Sequence, residues 1–175
     1  MSKKVVFLDR DGVINIPLIK NKKTYAPRKF SKFRFYPYTK KNCEILTKLG
    51  YKLIIITNQP DISIKKLKVQ ELNKMHNKII KELNIKNIFV SRSSNDNNPN
   101  RKPNPGLLIK AIKKHDINVK KSFMIGDRRK DIEAADKIKC KSIFIDRNYN
   151  EKKPLSHIFS CSSLSQAVKF IKKYK

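Results

Sequence analysis

Two aspartates that follow a short apolar run are the residues of this sequence best suited to chemistry. Asp9 and Asp11 belong to the segment VVFLDRDG at residues 5–12. Side chains alternate along a strand, so we expect Asp9 and Asp11 to share one face and Arg10 to point to the other. Two carboxylates held close together repel unless one is protonated or a cation lies between them, and either state serves catalysis. The segment therefore predicts an active site.

Later segments carry further polar residues at or after the ends of predicted strands. They supply a hydroxyl, amides, basic groups and carboxylates: Thr57, Asn58, Gln59, Arg101, Lys102, Asp127 and Asp131. Phosphoryl transfer requires a nucleophile, a divalent cation held by oxygen ligands, and groups that take up charge on the phosphoryl oxygens. This set of side chains meets those requirements.

Each aspartate can be given a role in the hydrolysis of a phosphate monoester. We predict that Asp9 attacks phosphorus and forms an aspartyl-phosphate. Asp11 is predicted to protonate the departing oxygen and then to activate water, which requires it to retain a proton near neutral pH. Mg²⁺ is expected between Asp9 and Asp127, since hard oxygen ligands favour it over softer metals.

Hydrophobic periodicity predicts the elements that must position these residues. Apolar runs predict strands at 4–8, 51–56, 88–90, 122–125 and 142–145. Helical spacing predicts helices at 39–49, 65–83, 106–115, 129–138 and 163–173. This alternation predicts an α/β fold with a Rossmann-like, doubly wound and mainly parallel sheet, whose ligands bind at the carboxyl ends of the strands. Residues 12–38, with three Pro and several aromatics, are expected to form a small flap, and 91–105 a long loop.

Length and composition restrict the class of protein. The 175 residues suit a single domain that spans 1–175, which we expect to be a monomer. The apolar runs are too short to cross a bilayer and do not form a signal peptide, so we expect a cytoplasmic protein without a membrane partner. Cys43, Cys140 and Cys161 fit neither a disulfide framework nor a CxxC motif, and we expect reduced thiols.

The chain carries a net charge of +28, which attracts polyanions. Most of its 42 basic residues are Lys, scattered along every segment. Such a distribution favours solvated surface positions over a dedicated nucleic-acid site, so a nucleic-acid partner is the less favoured alternative to a small phosphorylated metabolite.

Taken together, the motifs resemble those of the haloacid dehalogenase superfamily of phosphatases. They are FLDRDGVIN at 7–15, TNQ at 57–59, RKP at 101–103 and GD at 126–127, and the resemblance spans 5–146. DRDGVIN, TNQ and RKPNPG are similar to the branch of subfamily III that contains heptose bisphosphate phosphatases and histidinol-phosphate phosphatases. The resemblance implies a fold of this superfamily without a large cap domain.

The same resemblance implies the metal site. Asp9 and Asp127 would bind Mg²⁺ through their carboxylates and Asp11 through its main-chain oxygen, while Asp131 would support the Asp127 loop and its ion. Heptose phosphatases of this branch usually carry a zinc loop of three Cys and one His before the RKP motif. Residues 91–100 contain neither residue type, so no zinc is expected.

The resemblance also implies how the substrate is held. Thr57, Asn58 and Lys102 would bind the transferring phosphoryl group, and Arg101 and Arg128 would approach the rest of a sugar phosphate. We expect a substrate of the D-glycero-D-manno-heptose 1,7-bisphosphate type.

Three other functions remain open at this point. The first two are hydrolysis of histidinol phosphate and of 3′-phosphate ends of polynucleotides. The third is a non-catalytic module that binds nucleic acid or another partner and has kept the fold. His76, His115 and His157 have no partner at ligand or triad spacing, and we expect them at exposed positions or helix ends, without a catalytic role.

Overall fold

A computed structural model of the chain describes residues 2–20 and 23–174. The strands of this part are β1 (Val5–Leu8), β2 (Leu18–Lys20), β3 (Lys23–Tyr25), β4 (Lys52–Asn58), β5 (Ile88–Ser91), β6 (Phe123–Gly126), β7 (Lys141–Ile145) and β8 (Phe159–Cys161). Its α-helices are α1 (Thr39–Lys48), α2 (Val69–Leu83), α3 (Gly106–His115), α4 (Arg129–Asp136) and α5 (Leu164–Lys173).

Six of the strands form one parallel sheet in the order β5-β4-β1-β6-β7-β8. β1 lies in the interior, where Val6 is in register with Leu53 of β4 and with Phe123 of β6. Every residue of β1 is buried because helices cover both faces of the sheet. Val6 and Leu8 pack in the cluster that includes α1, α2 and α5, whereas Val5 and Phe7 pack against α3 and α4. The predicted fold class is therefore confirmed.

Several element boundaries differ from the prediction. β8, in the stretch before α5 where no strand was predicted, has only three residues, too few for a clear alternation of side chains. β4 runs on to Asn58, so Thr57 and Asn58 belong to the strand itself. The prediction that α2 begins at residue 65 is wrong, because Lys65 has a left-handed φ of 56° and the helix begins at Val69.

The predicted flap contains a short antiparallel pair, in which Leu18 of β2 faces Tyr25 of β3. Cys43, Cys140 and Cys161 are buried free thiols. Across the described ranges, none of the helices has both the length and the apolar content needed to cross a bilayer.

Candidate active site

A tight turn after β1 brings the aspartates of the first motif to the edge of the sheet. Gly12 has a φ of 95°, which side chains other than hydrogen rarely allow. A Cβ atom at Gly12 would lie 1.8 Å from Oδ2 of Asp127, so the absence of a side chain lets the turn pack against that carboxylate. The first motif and the fourth motif are in contact for this reason.

Lys102 lies at the centre of a buried cluster of charges. Its Nζ donates hydrogen bonds to Oδ1 of Asp9 and to the carbonyl oxygen of Ile56, both at 2.7 Å. The same Nζ lies 2.6 Å from Oδ1 of Asp131. Burial alone would lower the pKa of Lys102, but the carboxylates of Asp131 and Asp9 outweigh burial and raise it. The lysine is therefore a protonated counter-ion for two buried carboxylates.

Three carboxylates in this cluster could hold a cation. Oxygen atoms of Asp9, Asp127 and Asp131 all lie within 4.8 Å of one another. Burial raises the pKa of Asp9 to about 6, with Lys102 opposing the shift and Asp131 adding to it. Burial and the charges of Asp9 and Asp131 also raise the pKa of Asp127 well above its usual value.

Oδ1 of Asp127 is buried and has no partner in normal hydrogen-bond geometry among the described residues, although the Tyr149 hydroxyl is near enough to oppose the rise in the pKa of Asp127. A divalent cation would supply that partner and would offset the repulsion among the carboxylates. Oxygen donors of this kind suit Mg²⁺. The residues present therefore fit the predicted ion. Asp131 lies in the same cluster, but its Oδ1 pairs with Lys102 and its Oδ2 accepts a hydrogen bond from the N–H of Arg128 at 3.0 Å. Its role in supporting the Asp127 loop and the ion stays a prediction.

Asp11 lies on the same cleft as Asp9, as predicted, but Arg10 does not point away from it. Arg10 donates to Asp11 through Nε at 3.1 Å and through Nη2 at 2.9 Å. The prediction for Arg10 is wrong because β1 ends at Leu8, and side-chain alternation does not continue into the turn.

Gln59 and Asn15 also donate to the Asp11 carboxylate, at 2.7 and 2.9 Å. Sequence reasoning included Gln59 among the polar residues at the strand ends but predicted no contact with Asp11, and it gave Arg10 and Asn15 no role in the site.

The second motif contributes Thr57 and Asn58 to the site in different ways. Thr57 is buried, and its Oγ1 accepts a hydrogen bond from Gln59 at 2.9 Å. The Asn58 side chain lines the cleft but is committed to the backbone of Lys102, donating to its carbonyl oxygen at 3.0 Å and accepting from its N–H at 3.1 Å. Asn58 thus braces the loop that carries Lys102. Binding of the phosphoryl group by these two residues stays a prediction.

Basic side chains line the outer part of the cleft. Arg101 and Lys130 both donate to Oδ1 of Asp96 at 2.9 Å, and Arg128 pairs with Glu151. The opposite wall is formed by the flap and the loop after β4, through Pro17, Thr24, Tyr25, Ala26, Pro60 and Asp61. Arg101 and Arg128 therefore line the same cleft as Lys102. Their contact with the rest of a substrate stays a prediction.

Arg147 is a site residue that sequence reasoning missed. Its Nε donates to the carbonyl oxygen of Gly12 at 2.9 Å, and its guanidinium lies 4.0 Å from the ring centroid of Tyr36. It follows β7, whose carboxyl end lies at the same edge of the sheet as the four motifs. The signal in the sequence is its position just after the fifth predicted strand, at 142–145, which was not considered as a source of site residues.

The histidine predictions have mixed outcomes. His115 is the last residue of α3 and His157 is exposed, as expected. The expectation for His76 is wrong, because it lies within α2, away from either end, and its Nε2 is 3.3 Å from Nη1 of Arg10. The spacing of apolar and polar residues along α2 did not predict this contact, because the contact depends on how α2 packs against the sheet.

Comparisons with known proteins identify the family of this chain. Residues 9–145 match the haloacid dehalogenase-like hydrolase family. The chain is 33% identical over 178 residues to D-glycero-beta-D-manno-heptose-1,7-bisphosphate 7-phosphatase of Helicobacter pylori strain J99, covering 97% of each chain. It is 31% identical over 155 residues to the histidine biosynthesis bifunctional protein HisB of Bacteroides fragilis, covering 85% of this chain and 41% of that one.

A solved structure shares the fold. The crystal structure of D,D-heptose 1,7-bisphosphate phosphatase from B. bronchiseptica, complexed with magnesium and phosphate, aligns with a TM-score of 0.83 at 21% identity. The alignment covers 97% of this chain and 98% of that one.

Proposed function

Because the chain belongs to the haloacid dehalogenase-like hydrolases, we propose that it is a Mg²⁺-dependent phosphomonoesterase acting on a sugar phosphate of the D-glycero-D-manno-heptose 1,7-bisphosphate type. Its class, a phosphatase, follows from the family and from relatives that are named phosphatases. Membership of this class of enzymes argues against the alternative of a non-catalytic binding module. The observation that carries the proposal is the buried cluster of Asp9, Lys102, Asp127 and Asp131 at the carboxyl ends of the central strands.

The carboxylates of Asp9 and Asp127 would hold Mg²⁺, together with the main-chain oxygen of Asp11, and Asp131 would either bind or orient the ion. Their mutual proximity and the orphaned oxygen of Asp127 support this assignment. When bound, Mg²⁺ supplies positive charge that stabilises the phosphoryl oxygens and the ligating carboxylates. The ammonium of Lys102 lies against Asp9, where it can also take up charge from the transferring group.

In the first step a carboxylate oxygen of Asp9 forms a bond to phosphorus as the bond from phosphorus to the ester oxygen breaks. Asp11 gives its proton to that departing oxygen, so an alcohol leaves and an aspartyl-phosphate remains. In the second step Asp11 takes a proton from water, and the water oxygen bonds to phosphorus. The bond to Asp9 breaks, which returns its carboxylate and releases inorganic phosphate.

The basic wall of the cleft supports a substrate with a second phosphate. Arg101, Arg128 and Lys130 are paired with carboxylates of Asp96 and Glu151. A phosphate group has more charge and more acceptor oxygens than a carboxylate, so it can replace these partners. The relative from Helicobacter pylori is named for a 1,7-bisphosphate. Histidinol phosphate is the second candidate, favoured by the similarity to HisB.

The experiment is a comparison of substrates with purified protein in Mg²⁺ and in EDTA. The panel contains a heptose 1,7-bisphosphate, histidinol phosphate and a 3′-phosphorylated oligonucleotide. We expect the bisphosphate to have the highest kcat/KM and EDTA to abolish turnover. D9N should be inactive, whereas D116N, a change at an exposed residue, should match the parent. Preference for histidinol phosphate or the oligonucleotide would contradict the substrate, and activity of D9N would contradict the mechanism.

A further inference from the structure

Arg10 is fully buried, which is unusual for a residue that always carries a charge. Its guanidinium contacts both oxygens of the Asp11 carboxylate, with Nη2 at 3.0 Å from Oδ1 and 2.9 Å from Oδ2. Nη2 also donates to Oε1 of Gln59 at 3.0 Å. The Nε2 of Gln59 in turn donates to Asp11 Oδ2, so the three side chains form a closed ring of hydrogen bonds. A two-pronged contact of this kind determines the orientation of a carboxylate as well as its position.

His76 holds the other side of the same guanidinium. Its Nε2 lies 3.3 Å from Nη1 of Arg10, and an arginine nitrogen can only donate. Nε2 must therefore accept, and the ring must be neutral with its proton on Nδ1. Burial and the charge of Arg10 lower the pKa of His76 to about 4, which keeps the ring neutral at physiological pH. The ring of Phe33, 5.8 Å from the guanidinium carbon, lies against a third side of Arg10.

We propose that Arg10 and His76 are positioning residues that set the orientation of the Asp11 carboxylate, with His76 acting through Arg10. The position of helix α2, which carries His76, thereby affects the orientation of the Asp11 carboxylate, which transfers protons in the proposed mechanism. The inference rests on the role of Asp11 as general acid and base in the proposed function. Neither residue lines the cleft, and neither would touch the substrate.

This arrangement has a measurable consequence for the choice of leaving group. A leaving group of high pKa must be protonated as its bond breaks, so its hydrolysis depends strongly on a well-placed acid. A leaving group of low pKa departs as an anion and depends on that acid weakly. A misplaced Asp11 should therefore slow esters of weakly acidic alcohols and phenols more than esters of strongly acidic ones.

The test compares phenyl phosphate with 4-nitrophenyl phosphate, which have similar shapes but leaving groups of different acidity. In H76L the acceptor for Arg10 is lost, whereas Gln in H76Q can place a carbonyl oxygen near the position of Nε2. R10K keeps the charge but loses the two-pronged contact. H157L makes the same change at an exposed histidine and serves as the matched control.

We expect H76L to lower kcat on phenyl phosphate by about tenfold, a part of the roughly 10²–10⁴-fold that general acid–base catalysis contributes. Its kcat on 4-nitrophenyl phosphate should fall much less, with KM unchanged for both esters. R10K should enlarge the difference, H76Q should restore the ratio of the two rates, and H157L should leave it at the parental value. Because the readout is a ratio within each variant, partial loss of folded protein does not affect it.

Equal losses on both esters in H76L and R10K would overturn the inference, as would a failure of H76Q to restore the ratio. Both results leave the proposed function intact, provided the parent hydrolyses the two esters with Mg²⁺ and D9N does not. A parent that hydrolyses neither aryl ester nor any member of the substrate panel would contradict the proposed function itself, and with it the role of Asp11 on which the inference rests.

Discussion

Replacing Asp127 with Asn should make the metal-free protein more stable and remove its response to Mg²⁺. Asp127 is buried beside Asp9 and Asp131, and its Oδ1 lacks a hydrogen-bond donor among the described residues. Asn has nearly the same shape but no charge, so the change removes repulsion without creating a cavity. The Asp127 carboxylate therefore destabilises the folded protein when the ion that it would bind is absent.

The size of the effect follows from the geometry of the carboxylates. At the 4.8 Å limit of their separation, two unit charges repel by about 3.5 kcal/mol if the effective dielectric constant is about 20. Asp127 has two such neighbours, and the attraction of Lys102 offsets roughly one of them. A net gain of about 3 kcal/mol should raise Tm by about 6–12 °C, since each kcal/mol shifts the midpoint by about 2–4 °C at this size.

The gain should depend on pH. The raised pKa values of Asp9 and Asp127 mean that the folded state binds their protons more tightly than the unfolded state does. Their contribution to stability is therefore present at low pH and is lost as the pH rises through the folded pKa values. For Asp9 this window extends from its ordinary value of 3.8 to about 6. D127N should be clearly more stable than the parent at pH 8. At pH 4 the difference in stability between the two proteins should be much smaller.

The assay is thermal unfolding in EDTA and in excess Mg²⁺ at both pH values. Mg²⁺ at a hundred times its Kd should stabilise the parent by about 2.7 kcal/mol. D127N should show almost no shift and no phosphatase activity. D116N, which removes an exposed carboxylate, should behave as the parent does. If D127N in EDTA at pH 8 melts at or below the temperature of D116N, the reasoning about repulsion among these carboxylates is refuted.

Three further variants test other parts of the site. G12A should lose activity and about 1–3 kcal/mol of stability, because its Cβ would collide with Asp127 in a left-handed turn. G50A, also at positive φ but facing only the flexible Lys4 side chain, should keep its activity, and a loss equal to that of G12A would show that strain alone explains both. K102M should lower the free energy of unfolding at neutral pH by about 3–5 kcal/mol, since Asp9 and Asp131 lose their shared cation, and should be inactive well below its own Tm. Denaturant unfolding checks the first effect, and measurable turnover would contradict the second. R147M should lower kcat and cost about 1–3 kcal/mol because the carbonyl oxygen of Gly12 loses its donor, and unchanged kcat and Tm would contradict that role.

Local patterns were sufficient to predict most of the architecture and where the chemistry lies along the chain. Short apolar runs alternating with helical periodicity determine a parallel sheet covered on both faces, and this sheet brings successive strand ends to one edge. Because the polar motifs lie at those ends, the meeting of Asp9, Lys102 and Asp127 was predictable without coordinates. The short strand β8 escaped prediction because three residues do not establish a period.

The tertiary structure alone decided which side chains the catalytic groups contact. Arg10 and His76 are 66 residues apart in the chain, and Arg147 and Gly12 are 135 apart. Such contacts depend on the docking of helices and loops, which no local period encodes. Arg10 turns back to Asp11 because the chain leaves strand geometry after Leu8, and there the alternation of side chains no longer applies.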